Sequence, residues 1–276
     1  MSVRFCVLGS GSRGNAALLM TPDAHVLIDI GFSPDEIAAR LDGTGASWDT
    51  LKAVVLTHTH ADHLRKRTLV EIAHRGITFY CHAAHLAQLQ GGRYFKRLAQ
   101  QGGVKTYAYE QPFEITPGLN FRPLALPHDC PPTFGFRVES TGSDGRIFKL
   151  GYVADLGYEC SDLVQHIHDV DMLALEFNHD EDMERNSGRP QRLIERVLGN
   201  TGHLSNRQAA DVFANILRLA NGTGGPQVLV QLHLSAECNQ PDLAYRAAQS
   251  VVERLGASTK VFTTKQDRRG SVHSIA

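Results

Sequence analysis

After an apolar run at 53–56 the chain reads Thr57-His58-Thr59-His60-Ala61-Asp62-His63, which puts four potential metal ligands within six residues. Neutral imidazole suits zinc, and a carboxylate beside it suits zinc, manganese or iron, so the chemistry offered is divalent-metal binding. A strand ending in a tight loop aims His58 and His60 to one side. The turn into a helix expected near Leu64 swings Asp62 and His63 to a neighbouring point. Two adjacent cations would then each gain a pair of ligands. One loop cannot complete two such sites, so further donors are expected where other strands end. His128 follows a run ending at Leu126, Asp155 follows the run 147–153, and His233 closes the run 228–232. Each of these alone reads as a capped turn or a core histidine. Beside the dense cluster the three read as ligands.

The elements that must position these residues are short apolar runs alternating with helical patterns. Strands are expected over 3–8, 17–20, 26–30, 53–56, 77–80, 121–126, 134–138, 147–153, 172–176, 228–232 and 260–263. No linker-like stretch and no fixed-period repeat interrupts them, so a single mixed α/β domain over 1–276 is expected. Ser33, Pro34 and Glu36 form a capping-box helix start, and Ser205 with Gln208 repeats it. The second of these helices shows a core stripe of Ala209, Val212, Phe213, Ile216, Leu217 and Ala220, with Gly222 as its stop. A last helix over 241–255 is expected to bury Leu243, Ala247, Val251 and Leu255, with Gly256 ending it. Gly9, Gly11 and Gly14 fit GxGxxG and Asp29 sits where a ribose-binding acid could be. Only 15–20 intervene before Thr21-Pro22-Asp23, too short for the required helix, so a hairpin is the better reading.

Composition excludes several classes. The chain has 276 residues, 42% of them hydrophobic and 21% charged, which is ordinary globular material and not disordered or fibrous. No run approaches the ~20 apolar residues of a membrane span, and no leader pattern opens the sequence, so it reads as unexported, cytoplasmic and free of membrane. Cys6, Cys81, Cys130, Cys160 and Cys238 are scattered and never spaced CxxC, as expected of reduced thiols. A net charge of -1 gives no global footprint of duplex binding. Basic residues cluster at Arg65, Lys66 and Arg67, at Arg93, Lys96 and Arg97, and at Lys265, Arg268 and Arg269. These read as solvated faces.

HxHxDH followed by a lone His, a lone Asp and a final His resembles the metallo-β-lactamase superfamily along nearly the whole chain. The resemblance implies a four-layer αβ/βα sandwich with two metals where the sheets meet. It assigns His58, His60 and His128 to one metal, Asp62, His63 and His233 to the other, and Asp155 to both. Leu173 to Asp180, Gly202-His203-Leu204-Ser205-Asn206 and Leu232 to Ser235 are similar to successive motifs of the ribonuclease Z type. With the opening Gly9 to Ala16, they look closer still to the WalJ (YycJ) exonuclease-like group. That likeness implies that His203 is catalytic, not a ligand, and that Glu176 supports it. No RNA-gripping arm or clamp domain is legible.

The expected reaction is phosphodiester hydrolysis on two divalent ions, zinc with manganese or iron as alternatives. Such ions acidify water and neutralise phosphate charge, with Asp62 orienting the attack. His203 would protonate the leaving alkoxide. At a helix N-terminus its imidazolium is disfavoured, so Glu176 must hold the proton there. Ser205 at the same terminus is expected to accept a phosphate oxygen. DNA or RNA is the expected substrate, or a small phosphodiester. The alternative is a small-molecule hydrolase acting on a cyclic phosphate, thioester or lactone. His82, His85, His166 and His168 read as structural or surface residues, Asn178 and His179 as neighbours of the pocket, and Cys130 as a thiol without a role.

Overall fold

A computed structural model describes residues 3–220 and 225–275, which include every candidate site residue. Gly222, the expected helix stop, lies outside the described residues. The chain divides into two compact units, Met1–Pro123 with Ser140–Ile147 and Lys265–Ala276, and Leu124–Glu139 with Phe148–Thr264.

In the first unit β1 (Val3–Gly9), β2 (Ala16–Met20), β3 (His25–Ile28), β4 (Leu51–Val55), β5 (Thr78–His82) and β6 (Val104–Tyr107) form a sheet in that order. A last short strand, His273–Ile275, joins the outer side of β1. The first three strands are antiparallel, so the GxGxxG run lies in the loop of a hairpin, as expected. From β3 to β6 the strands are parallel. Parallel strands covered on both faces need apolar residues throughout, and β4 exposes only Lys52. On one face the cover comes from α1 (Pro34–Leu41), α2 (Thr68–His74), α3 (Leu86–Leu89) and α4 (Arg93–Gln100). Ile37, Leu69, Ile72, Phe95 and Leu98 share one core with Leu18, Leu27, Val54 and Phe79. Ser33 and Glu36 close the expected capping box on α1, a contribution of about 1 kcal/mol.

The second sheet runs through β7 (Phe113–Thr116), β8 (Leu119–Leu126), β9 (Thr133–Thr141), β10 (Ile147–Val153), β11 (Met172–Glu176), β12 (Val228–Leu232) and β13 (Lys260–Thr263) in order. The run from β10 to β13 is parallel. Every residue of β11 and β12 is buried. Gln231, the polar member of β12, donates to Ala244 O at 2.6 Å and accepts from Thr263 Oγ1 at 2.6 Å, so its burial costs little. Against this sheet pack α5 (Ser161–Ile167), α8 (Asn206–Leu219) and α9 (Pro241–Leu255), while α6 (Glu181–Arg185) and α7 (Gln191–Leu198) fill the crossing from β11 to α8.

Each expected strand is present; those over 147–153, 172–176, 228–232 and 260–263 have the expected ends and the others are shifted at one or both ends. The edge strands β6 and β7 and the final β14 (His273–Ile275) escaped notice, because β6 and β7 are short and mostly solvated, without an apolar run to mark them. The helix expected near Leu64 begins at Thr68, after a turn that lets Leu64 bridge to Ile30. The buried residues of α9 are Ala244, Ala248, Val251 and Val252; of the expected face Val251 is buried, Leu243 and Ala247 are half-buried and Leu255 is exposed. The buried alanines let α9 approach α8 closely. Gly256 does end the helix, in the left-handed region at φ 61°.

Candidate metal centre

In the first unit the cluster residues follow β4. Leu56 N donates to Tyr80 O at 2.9 Å and Leu56 O accepts from the Tyr107 phenol Oη at 2.6 Å, which pins the strand end. The neighbouring strand β3 is followed directly by Asp29, a fully buried carboxylate at φ 63°. Its Oδ1 accepts from Thr57 N at 2.8 Å and its Oδ2 meets His63 Nδ1 at 2.7 Å. Burial pushes the Asp29 carboxyl up, against the pull of His63 and Thr57. With Nδ1 held, His63 turns Nε2 inward. The imidazoles gather tightly: His58 has its ring centroid 4.8 Å from that of His60 and 4.2 Å from that of His63. Asn15 crosses from the hairpin loop, its Nδ2 3.2 Å from Asp62 Oδ2 and 2.9 Å from His63 Nε2. Its Oδ1 accepts from Ser10 Oγ and Gly11 N, so the loop itself is folded around Asn15. Gly31 lets the chain pass: a Cβ there would sit 1.7 Å from Asp62 O.

The second unit gathers its own set. His128 follows β8, 5% exposed, with Nδ1 3.0 Å from Gly202 O, and burial lowers its pKa. Asp155 follows β10 and His233 follows β12, both buried and both at φ 56°. Glu176, the last residue of β11, is fully buried and organises the group. Its Oε1 accepts from His203 Nδ1 at 2.7 Å and His233 Nδ1 at 2.9 Å, and its Oε2 accepts from Leu156 N at 2.9 Å and Leu204 N at 3.2 Å. Burial works to raise the Glu176 carboxyl, but the His203 charge and the hydrogen bonds outweigh it and hold it well below the usual carboxylate range. His233 Nδ1 also contacts Asp155 Oδ1. Ligand atoms of Asp155, Glu176, His203 and His233 all lie within 4.8 Å of one another. The His203 ring centroid is 5.0 Å from those of both His128 and His233.

Within each unit the expected residues therefore come together: His58, His60, Asp62 and His63 in the first, His128, Asp155, Glu176, His203 and His233 in the second. Sequence reasoning missed Asn15 and the role of Asp29. An acid directly after an apolar strand, the signal that found Asp155, could have found Asp29 too. Asn178 donates from Nδ2 to His233 O at 2.8 Å and so fixes the end of β12. His179 is buried beside it, with burial lowering its pKa and neither ring nitrogen hydrogen-bonded among the described residues. His82 caps a turn through Ala84 N, and His168 meets Gln165 O. One expectation fails. Ser205 does cap α8, but its N–H goes to Gln208 Oε1 and its hydroxyl to Glu181 Oε1, both at 2.9 Å, so it is engaged and not presented to a phosphate. The cysteines form no disulfide, and burial pushes the Cys81 thiol up to about 12, which makes it inert.

The donor set suits divalent cations. Metal-binding histidines tie their second ring nitrogen to a carboxylate or a carbonyl, and His63 does so with Asp29, His128 with Gly202 O and His233 with Glu176. Two buried carboxylates among imidazoles also call for positive charge.

Residues 25–221 match the beta-lactamase superfamily domain, and the chain belongs to that family. It is 26% identical over 275 residues to exodeoxyribonuclease WalJ of Streptococcus pneumoniae serotype 2, covering 96% of this chain and 95% of that protein. Among solved structures, the metallo-β-lactamase fold protein YhfI of Bacillus subtilis superposes with a TM-score of 0.70 at 17% identity, over 99% of this chain and 100% of that one. Zinc-bound PqqB of Methylobacterium extorquens gives 0.67 at 18% identity, over 97% and 99%. These likenesses show the fold, and it is the α/β metallo-β-lactamase fold that the ligand pattern implied. No helix among the described residues is long and apolar enough to cross a membrane.

Proposed function

We propose that this protein is a two-metal phosphodiesterase acting on nucleic acid, an exonuclease of DNA or RNA, working in the cytoplasm as a single folded domain. His58, His60 and His128 would hold one cation, Asp62, His63 and His233 the other, and Asp155 would serve both. Zinc is the metal we assign, a choice supported by the imidazole-rich donor set and by the zinc of PqqB. When bound, such ions acidify water and screen the charge of a phosphate.

The observation that carries the reading is the tie between Glu176 and His203. With Nδ1 of His203 held at 2.7 Å by Glu176, Nε2 is the ring nitrogen left to face a substrate and to deliver a proton to it. The His203 side chain is 16% exposed while that of Glu176 is wholly buried, so the imidazole alone of this pair can reach a substrate. Proton delivery matters for a leaving alkoxide, as in a nucleic acid strand, and far less for a good leaving group. Asp62 orients the attacking water. The name of the WalJ relative supports a nucleic-acid substrate.

The test is metal analysis and kinetics of His203→Ala. Both metals should stay, turnover of end-labelled DNA or RNA should fall about 10²–10⁴-fold, and hydrolysis of a p-nitrophenyl phosphodiester should fall far less. Loss of metal would make His203 a ligand instead. Turnover of the small ester alone by the native protein, with no strand shortened, would refute the nuclease reading.

A further inference from the structure

Charge is segregated along this chain. Between Leu64 and Thr106 there are eight Lys or Arg and one acid, Glu71, a net +7 in a protein whose total is -1. The remainder is therefore strongly acidic. Glu71 is already engaged by Arg75, which also pairs with Asp49. The others stay exposed, and among the described residues none of Arg65, Lys66, Arg67, Arg93, Lys96 and Arg97 is drawn into a salt bridge.

These six are brought together by packing. Arg93, Lys96 and Arg97 stand at i, i+3 and i+4 of α4, on one face, while Phe95 and Leu98 on the opposite face enter the core. Arg65 to Arg67 lead into α2, which packs on α4 through Leu69 and Ile72. Both stretches are tied to the loop that carries His58 to His63. Arg65 N donates to Ile30 O at 2.9 Å directly after that loop, and Thr59 Oγ1 bonds Gln88 of α3, which runs into α4.

We propose that this basic face docks the phosphate backbone of a nucleic acid strand beside the histidine loop, a deepening that rests on the nuclease reading above. Like-charged side chains crowded on exposed surface repel one another and are relieved by a polyanion, with counterion release as the driving force. The Arg93 guanidinium lies 4.7 Å over the ring of half-buried Tyr94, which gives a flat cationic platform of the kind that bases stack on. An anionic bilayer fits less well. Surface binding to lipid needs exposed apolar side chains to insert, and none of the large exposed ones, such as Tyr109, Ile147 and Phe262, falls in this segment.

The test compares the metal-loaded native protein with the triple variant Arg93→Gln, Lys96→Gln, Arg97→Gln. Glutamine keeps helix propensity at exposed sites, and Arg65→Gln, Lys66→Gln, Arg67→Gln serves as a second variant should the first not fold. The probe is a labelled phosphorothioate single-stranded DNA of roughly 30 nucleotides, enough for two binding footprints. Each lost phosphate contact removes about 0.7 from the slope of log affinity against log salt, so the triple variant should lose about 2 and bind roughly tenfold or more weakly. Turnover of a p-nitrophenyl phosphodiester should be unchanged. Unaltered affinity and slope would overturn the proposal, as would tighter binding of phosphatidylserine vesicles than of DNA. The two readings fail separately. A native protein that binds DNA through these residues yet cuts no strand removes the nuclease and keeps the docking face, whereas a triple variant that cuts and binds as the native protein does the reverse.

Discussion

Asp29→Asn should weaken metal binding more than it weakens the fold. In the native site Asp29 Oδ2 accepts the His63 Nδ1 proton at 2.7 Å and Oδ1 accepts from Thr57 N at 2.8 Å. Asparagine has the same size, tolerates the left-handed backbone at φ 63°, and can still accept from Thr57 N through its oxygen. Its amide then faces His63 Nδ1 as a donor, and the ring proton must move to Nε2, the nitrogen that points toward Asn15 and Asp62. An Nε2 carrying a proton has no lone pair for a cation. Outer partners of ligands are worth about 10–100-fold in metal affinity, and that range is expected here. The fold loses one hydrogen bond to a charged group and gains an amide contact, a cost of about 1–2 kcal/mol. Asp29→Ala differs in kind. It leaves Thr57 N unsatisfied in the core, at about 1–3 kcal/mol. Chelator competition gives the affinity, and melts with and without metal give the fold. An Asn variant with native affinity would show that Asp29 does not set the His63 tautomer. An equal loss in both melts would assign it to the fold alone.

Gly31→Ala should drive a Cβ to 1.7 Å from Asp62 O and 2.5 Å from Asn15 N. Overpacking of that severity costs about 3 kcal/mol or more, so a lowered melt and reduced metal stoichiometry are expected, and native values for both would refute the close approach. Asp169 lies among Arg137 and Lys149, and the Arg137 hydrogen bond holds its carboxyl well below the usual range despite burial. A depressed folded-state pKa adds stability that is complete above the unfolded value of about 3.9 and is lost as pH falls through the folded one. Asp169→Asn should therefore cost about 1 kcal/mol at neutral pH, allowing for solvent screening of this part-exposed group, and less in acid. Urea unfolding at both pH values checks this, and an equal cost at the two would refute the ion-pair account.

The site was legible where chemistry is contiguous or where a donor follows an apolar run. His58 to His63 are consecutive enough to be seen at once, and His128, Asp155 and His233 announce themselves by ending buried strands. Asp29 ends a strand in the same way, yet its position near a glycine-rich loop suggested a different motif. Its actual partner is set by register: Ile28 of β3 stands beside Val55 of β4, so the residue after β3 falls against Thr57. No local pattern reveals such pairing. Asn15 is hidden for a similar reason, since only the folded hairpin loop carries it to Asp62. The phosphate role expected of Ser205 failed because Glu181, from a helix too short and polar to notice, occupies its hydroxyl. The basic face was hidden by scale. Each cluster of three looks like ordinary solvated surface, and only the sum over 64–106 departs from the chain's near-neutral total.

Backbone strain links these observations. The described non-glycine residues at positive φ are Asp29, Glu110, Asp155 and His233, and three of the four directly follow buried strands: Asp29, which holds His63, and Asp155 and His233 of the second donor set. A residue forced into that region costs of order 1–3 kcal/mol, which a fold retains only where surrounding structure overrides it. At a strand end the left-handed step turns the chain sharply, letting one side chain project while the backbone departs to a loop. Packing alone gives no reason to repeat this at β3, β10 and β12. Fixing side chains within each unit's own cluster does: Thr57 and His63 hold Asp29 in the first unit, and Glu176 holds His233 in the second. The rarity of the conformation, more than the identity of any one residue, separates these acids and this histidine from a capped turn or a core imidazole.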